Sequence, residues 1–339
     1  MQRINKQLNK YVTKLYLHFS TNKRLRKIYG SNKFVRRLLK TLFPGVLRDN
    51  YGIEISSYCN AKCIFCSYPH LAKSKTNLVN MTDETFSKCI EHIRKSRKSV
   101  IVMCPRVGEN LCNRNWSTYL QTLLNEEYVT IVSMFTNGIL LDDKQLNILL
   151  NLENLQKLSM LISVGGVDAN TYNFMYGINK FDKVKNNIIS LLNELKARNL
   201  TIPVHIELRV PDLNQLNFEE AKDLFNPSKY KHFSVFAADQ YDSLNDLSQG
   251  KDKGLKIVSN LRNKKIPCNR LKSLTFNSNG TIGACGCVSS IGIDNGDLIL
   301  GHVDDDLSAI NERREKMGLD WKNNKKIPKE CQHCAFYDA

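Results

Sequence analysis

From residue 51 to 237 the chain alternates between two hydrophobic periods. Short runs of period two read as strands, and longer runs with apolar residues three or four apart read as helices. Tyr51, Ile53, Ile55 and Ser57 alternate with Gly52, Glu54 and Ser56, a strand that runs into a loop. A helix follows over 81–97, with Thr82 as its N-cap. Strands are expected over 99–103, 129–135, 158–164, 201–210 and 232–237. Helices are expected between them over 116–126, 142–152, 181–198 and 218–225. Strand-helix repetition at this pitch predicts an α/β fold, a parallel sheet with helices outside it. Candidate functional residues fall after strand ends, where such folds collect ligands.

The pattern changes on either side of this body. Residues 1–43 read as two or three short helices, the last with a stripe of Phe34, Val35, Leu38, Leu39, Leu42 and Phe43, ended by Pro44-Gly45. Residues 239–266 are polar and lack a period, a linker with room for one short helix. Two short strands, 271–276 and 281–284, flank Ser278-Asn279-Gly280, a strong hairpin signal. A helix is expected near 307–316. The division is therefore 1–50, a basic helical extension; 51–238, the α/β body; 239–266, a linker; and 267–339, a small hairpin-plus-helix domain.

Charge sharpens this division. The 339 residues carry +16. Residues 1–50 hold thirteen Lys or Arg and one acid, +12, leaving 36 bases and 32 acids, +4, for the rest. A basic amphipathic segment can pack on the body with its charges solvated, lie on an anionic membrane, or bind nucleic acid. Basic residues and aromatics do not interleave in the body, which argues against nucleic acid. The acid-poor start also resembles a transit peptide, although the Lys- and Asn-rich body looks bacterial. Neither a signal peptide nor an 18-residue apolar run is evident. A cytoplasmic location is expected, with residues 1–50 a candidate peripheral contact at the inner face of the membrane. Eleven cysteines in that compartment point to metal.

Cys59, Cys63 and Cys66 stand at Cys-x3-Cys-x2-Cys spacing with Phe65 before the third. Three thiolates on one loop can hold three irons of a cubane and leave the fourth open; a zinc knuckle is the alternative. The spacing, the preceding strand and the aromatic resemble the signature of the radical S-adenosylmethionine (SAM) superfamily. That resemblance implies a partial (β/α)6 barrel, a [4Fe-4S] cluster on Cys59, Cys63 and Cys66, and SAM on the open iron. It also implies a 5′-deoxyadenosyl radical that abstracts a substrate hydrogen, with an external reductant such as flavodoxin or ferredoxin. Phe65 belongs to the cofactor site on the same basis. Gly108-Glu109 resembles the family's Gly-Gly-Glu-Pro, with Val107 for the first glycine and Asn110 for the proline; Glu109 would grip the SAM amino group. Ser163 matches the family's polar residue after the fourth strand, although Gly165 stands where Asp is usual. Asn137 and Arg209 are lesser candidates for the same cofactor, and Arg209 could equally brace neighbouring acids.

Cys268, Cys285, Cys331 and Cys334 form a second constellation around the hairpin and a late Cys-x2-Cys. It resembles the SPASM/Twitch auxiliary domains, in the Twitch form with one cluster, and so implies a second [4Fe-4S] cluster, saturated by thiolates and suited to electron transfer. A four-cysteine zinc site fits the same spacing. Cys287 is spare, Cys89 reads as a core thiol, and Cys104 and Cys112 bracket the Gly-Glu loop. His70 is the one histidine placed beside the cluster loop. The absence of a strand-bearing N-terminal domain favours a small-molecule or carbohydrate substrate, with dehydrogenation of a secondary alcohol as the leading chemistry. Peptide or protein modification is the alternative, and a non-catalytic metal-bearing nucleic-acid binder the remote one.

Overall fold

The strand that opens at Tyr51 is covered on both sides. A computed structural model describes residues 50–74, 78–103, 107–213, 216–238, 240–241, 255, 257–258, 264–286, 296–332, 334 and 337. The helices expected within 1–43, most of the linker, Cys104 and Cys287 lie outside these residues. β1 (Tyr51–Ile53) pairs in parallel with β2 (Val100–Met103) on one edge and with β9 (Leu274–Phe276) on the other. Its continuation, Glu54 through Ser57, is wholly buried. The apolar and small polar residues on both faces of this stretch follow from that placement.

The sheet continues from β2 through β3 (Ile131–Thr136), β4 (Leu158–Val164), β5 (Val204–Leu208) and β6 (Phe233–Ala237), every pair parallel. In the other direction β9 turns back into β10 (Thr281–Gly283), and β11 (Ile299–His302) completes an antiparallel edge. The nine strands run β11-β10-β9-β1-β2-β3-β4-β5-β6. The C-terminal hairpin thus extends the same sheet as the body. Its turn needs Gly280, at φ +87° and against the His302 ring. Buried Glu54 ties the turn to β1 by accepting a 2.9 Å bond from Ser278 Oγ. A separate parallel pair, β7 (Gln240–Tyr241) and β8 (Ile257–Val258), lies within the linker.

Helices connect the parallel strands. They are α1 (Tyr68–Leu71), α2 (Asp83–Ser96), α3 (Trp116–Asn125), α4 (Asp143–Leu150), α5 (Ala169–Tyr176), α6 (Phe181–Ala197) and α7 (Phe218–Phe225). α8 (Leu307–Lys322) and α9 (Lys329–Gln332) follow the hairpin. The apolar stripes face the sheet, as in α6, where Val184, Ile188, Leu191, Leu192 and Leu195 are buried. Thr82 caps α2 by accepting from Thr85 N, and Cys89 is a fully buried core thiol. No helix among the described residues is long and apolar enough to cross a membrane.

Some boundaries moved for physical reasons. The strand expected over 201–210 is Val204–Leu208, since Pro203 has no N–H for the ladder, although its carbonyl accepts from Met160 N. The strand expected from residue 271 begins at Leu274 because Asn269–Lys272 forms a 3-10 turn. α8 runs six residues beyond the expected 316. α5 and β11 were not foreseen in the sequence pattern.

Candidate active site

Inward-facing residues of β1, β2, β3, β4, β5 and β9 line one cavity of about 650 Å³, so the sheet curves around it. At its C-terminal mouth stand Cys59, Cys63, Phe65, Cys66, Gly108, Glu109, Asn137, Ser163 and Arg209. Every cofactor residue expected from the sequence therefore faces one space. The opposite end is walled by Asn50, Arg270, Ser273, Thr275 and Gly286. Strand register places Asn50 and Ser273 at the entry ends of β1 and β9, well away from the thiols.

The cysteine loop is fixed by its neighbours. Lys62 N and Ile64 N donate to Tyr176 O and Met175 O at the end of α5. Phe65 packs edge-on against Tyr176 with centroids 5.6 Å apart, and the Arg209 guanidinium lies 5.7 Å from the Phe65 ring. Tyr176 Oη in turn donates to Ser163 Oγ at 2.9 Å. Gly165 is explained by the same ring, because a Cβ there would run into Tyr176. Tyr68 N–H points at Cys66 Sγ at 3.4 Å. Asn137 Nδ2 donates to Asn60 Oδ1 at 2.7 Å and stands 3.9 Å from Cys59 Sγ. Arg209 is also held to Glu207 Oε2 at 2.8 Å, the bracing foreseen as its alternative use.

The Gly-Glu loop lies directly on the cysteine loop. Glu109 N donates to Tyr58 O, and a Cβ at Gly108 would overlap Ser56 O, so only glycine fits. The Glu109 carboxylate is buried. Its Oε1 accepts from Thr136 Oγ1 at 2.9 Å and Leu111 N at 3.2 Å, and Oε2 from Asn137 N at 2.7 Å. All three donors are neutral. Burial consequently pushes the carboxyl above its ordinary value, and the three donors only partly offset it. Asn110, in the family's proline position, is fully buried and bridges the ends of β2 and β3 by donating to Met103 O and Phe135 O. The departure from the motif thus has a structural use.

These residues fit an anionic cluster with a cationic ligand. Burial, and then the Glu109 charge, push the Cys59 thiol upward; burial and the neighbouring thiols do the same to Cys63. A metal would reverse both shifts. Beside them, Asn60 Nδ2 and Tyr172 Oη are buried with no hydrogen-bond partner among the described residues. Cys63, Cys59 and Glu109 all act on the Tyr172 hydroxyl. Two such donors suit the sulfur atoms of a bound cluster. Cys112 is driven up to about 12, first by burial and then by Glu109, and does not line the cavity. The side chain of His70 lies outside the described residues.

At the second constellation, burial pulls the Lys264 ammonium below its ordinary value, and Cys334, Cys331 and Cys268 oppose that shift. Buried Cys285 follows β10, two residues beyond the strand that pairs with β9. Among the described residues no three His, Cys, Asp or Glu side chains converge closely enough to hold one metal ion. Sequence reasoning missed Lys264, Thr136, Tyr176, Glu207, Arg270 and Thr275. Nothing local marks any of them, since their roles come from register and chain return.

A three-cysteine loop thus stands at the mouth of a curved parallel sheet, with the buried Glu109 carboxylate facing it. Residues 53–216 match the family model described as Radical SAM superfamily. No curated protein matches the sequence. Among solved structures, BtrN in complex with AdoMet and 2-DOIA aligns at TM-score 0.51 and 13% identity, over 85% of this chain and 93% of BtrN. SuiB of Streptococcus suis bound to precursor peptide SuiA aligns at TM-score 0.52 and 14% identity, over 91% of this chain and 76% of SuiB. At such identities the likeness shows the fold alone.

Proposed function

We propose that the protein reductively cleaves SAM and oxidises a small-molecule or carbohydrate substrate, with a second cluster on Cys268, Cys285, Cys331 and Cys334 as electron acceptor. In this reading the sheet serves as a partial barrel and the hairpin segment as a Twitch-type auxiliary domain. The observation that carries the reading is one cavity that runs from the first cysteine loop to the backbone beside Cys285. Cys59, Cys63 and Cys66 line one end, and Gly286, next to Cys285, lines the other. Its volume suits small molecules rather than a long peptide track.

When bound, the first cluster and SAM supply a 5′-deoxyadenosyl radical that takes one hydrogen atom from the substrate. The protein's own groups do the rest. Glu109 offers a buried negative charge with only neutral donors around it, a match for the SAM ammonium. Asn137 and Ser163 offer polar contacts at the mouth, and Phe65 shields the loop. Val102, Phe135 and Leu161 give the cavity apolar lining between its two ends. A second cluster, which Cys268, Cys285, Cys331 and Cys334 would hold, would supply the one-electron acceptor that oxidation of a secondary alcohol needs after loss of a hydrogen atom. BtrN, bound to AdoMet and 2-DOIA, fits this small-molecule reading, and SuiB, bound to a precursor peptide, represents the alternative.

Replacing Cys331 and Cys334 with Ala tests the acceptor role. SAM cleavage should persist while oxidised product disappears. Zinc at this site in purified protein, with turnover intact, would contradict it.

A further inference from the structure

Lys264 belongs to a segment whose sequence reads as polar linker, yet its side chain is buried. The ammonium donates to three carbonyls of one short stretch: Cys331 O, Gln332 O at 3.0 Å and Cys334 O at 2.8 Å. All three N–H groups are thus used on the segment that carries the second Cys-x2-Cys. The residue is itself anchored from behind. Fully buried Trp321, near the end of α8, donates its indole N–H to Lys264 O at 2.6 Å. Tyr337 stacks on Trp321, lies under the ammonium at 5.7 Å, and donates to Ile266 O. The neighbouring Lys265 is exposed. A charge buried and pinned this way is costly unless something compensates it. The residues whose carbonyls it holds, Cys331 and Cys334, are the ones that carry the second Cys-x2-Cys thiols.

We propose that Lys264 is the positioning residue of the second cysteine constellation: it gathers the end of α9 and Cys334 around its ammonium and supplies a fixed positive charge that holds an anionic thiolate cluster there and raises its reduction potential. This rests on the second-cluster reading above. Groups around a cluster that orient its ligands and add charge set both retention and potential. A cation held beside the residues that carry the thiolates favours the reduced, more negative cluster, which suits an electron acceptor.

Full-length reconstituted protein would be compared with K264M and K264R by potentiometric titration of the second cluster and by metal release to a chelator. K264M should shift the reduction equilibrium at least tenfold towards the oxidised cluster, about 59 mV for one electron. It should also release second-site metal about tenfold faster, with SAM cleavage at the first cluster unchanged. K264R keeps the charge but not the compact three-carbonyl grip, so it should restore the potential and not the retention. Wild-type potential and release in K264M would overturn the proposal, as would a K264R potential as low as that of K264M. If K264M does not fold, K264R carries the release measurement, and wild-type retention there overturns the clamp. A metal count showing zinc would defeat the electron-acceptor reading separately, while the release rates would still decide whether Lys264 holds the segment.

Discussion

Substituting Glu109 by Gln removes a charge without removing volume. The wild-type carboxylate accepts from Thr136 and Leu111 on one oxygen and from Asn137 N–H, at 2.7 Å, on the other. A Gln that keeps its oxygen towards Thr136 turns its NH₂ towards the Asn137 N–H, donor against donor. A buried donor left unmatched costs about 1–3 kcal/mol of stability. Loss of the charged contact to the SAM ammonium costs about 1.5–3 kcal/mol of binding, an affinity loss of about ten- to a hundredfold. T136V is the control, since it removes a donor and leaves the charge; its SAM affinity should fall by less than about tenfold. The pH dependence has a definite sign. Burial raises Glu109 above its ordinary value of 4.5, so the folded chain binds its proton more tightly than the unfolded chain does. This contribution therefore destabilises the fold as pH rises from 4.5 through the folded value. SAM affinity moves the opposite way, weakening as pH falls through that folded value. E109Q should lack both dependences. Equilibrium SAM binding and urea unfolding across pH, on anaerobically reconstituted protein, give both readouts. Unchanged SAM affinity in E109Q would refute the assignment.

Further outcomes follow from the same geometry. N110P, which restores the family's usual residue, should destabilise the protein by about 1–3 kcal/mol for each of the two carbonyls it abandons, measured by urea unfolding. A chain starting near Asp49 should still cleave SAM while losing salt-sensitive binding to anionic vesicles, because residues 1–50 hold +12 of the +16. Failure of that chain to fold would instead assign the Phe34, Leu38 and Leu42 stripe to the core. Iron and sulfide analysis should find about eight irons per chain, and about four would contradict a second cubane.

The repeating body was legible because local rules and tertiary structure agree there. β4 and α7 have the bounds their periodicity suggests, and Thr82 caps α2 as its position implies. α5 escaped because its eight residues, with Asp168 accepting from Asn170 N and Thr171 N, look like loop chemistry as much as a cap. The pairing of β9 with β1 joins residues more than 200 positions apart, and no local pattern encodes a partner strand. The site shows the same division. Spacing marked the cysteines and Gly108-Glu109, and the structure brings Asn137, Ser163 and Arg209 to the same mouth. Lys264 and Lys265 are indistinguishable as letters, yet one is buried against the 331–334 segment and the other exposed. The motif departures at Asn110 and Gly165 became intelligible only with their contacts, two strand-end carbonyls and the Tyr176 ring.

The most direct measurement is 5′-deoxyadenosine formed from SAM under dithionite by the reconstituted protein and by a variant with Cys59, Cys63 and Cys66 all changed to Ala. The wild-type chain should form it and the variant should form none, because that loop carries the three thiols at the cavity mouth. Undiminished formation by the variant would contradict a SAM-cleaving cluster on these cysteines.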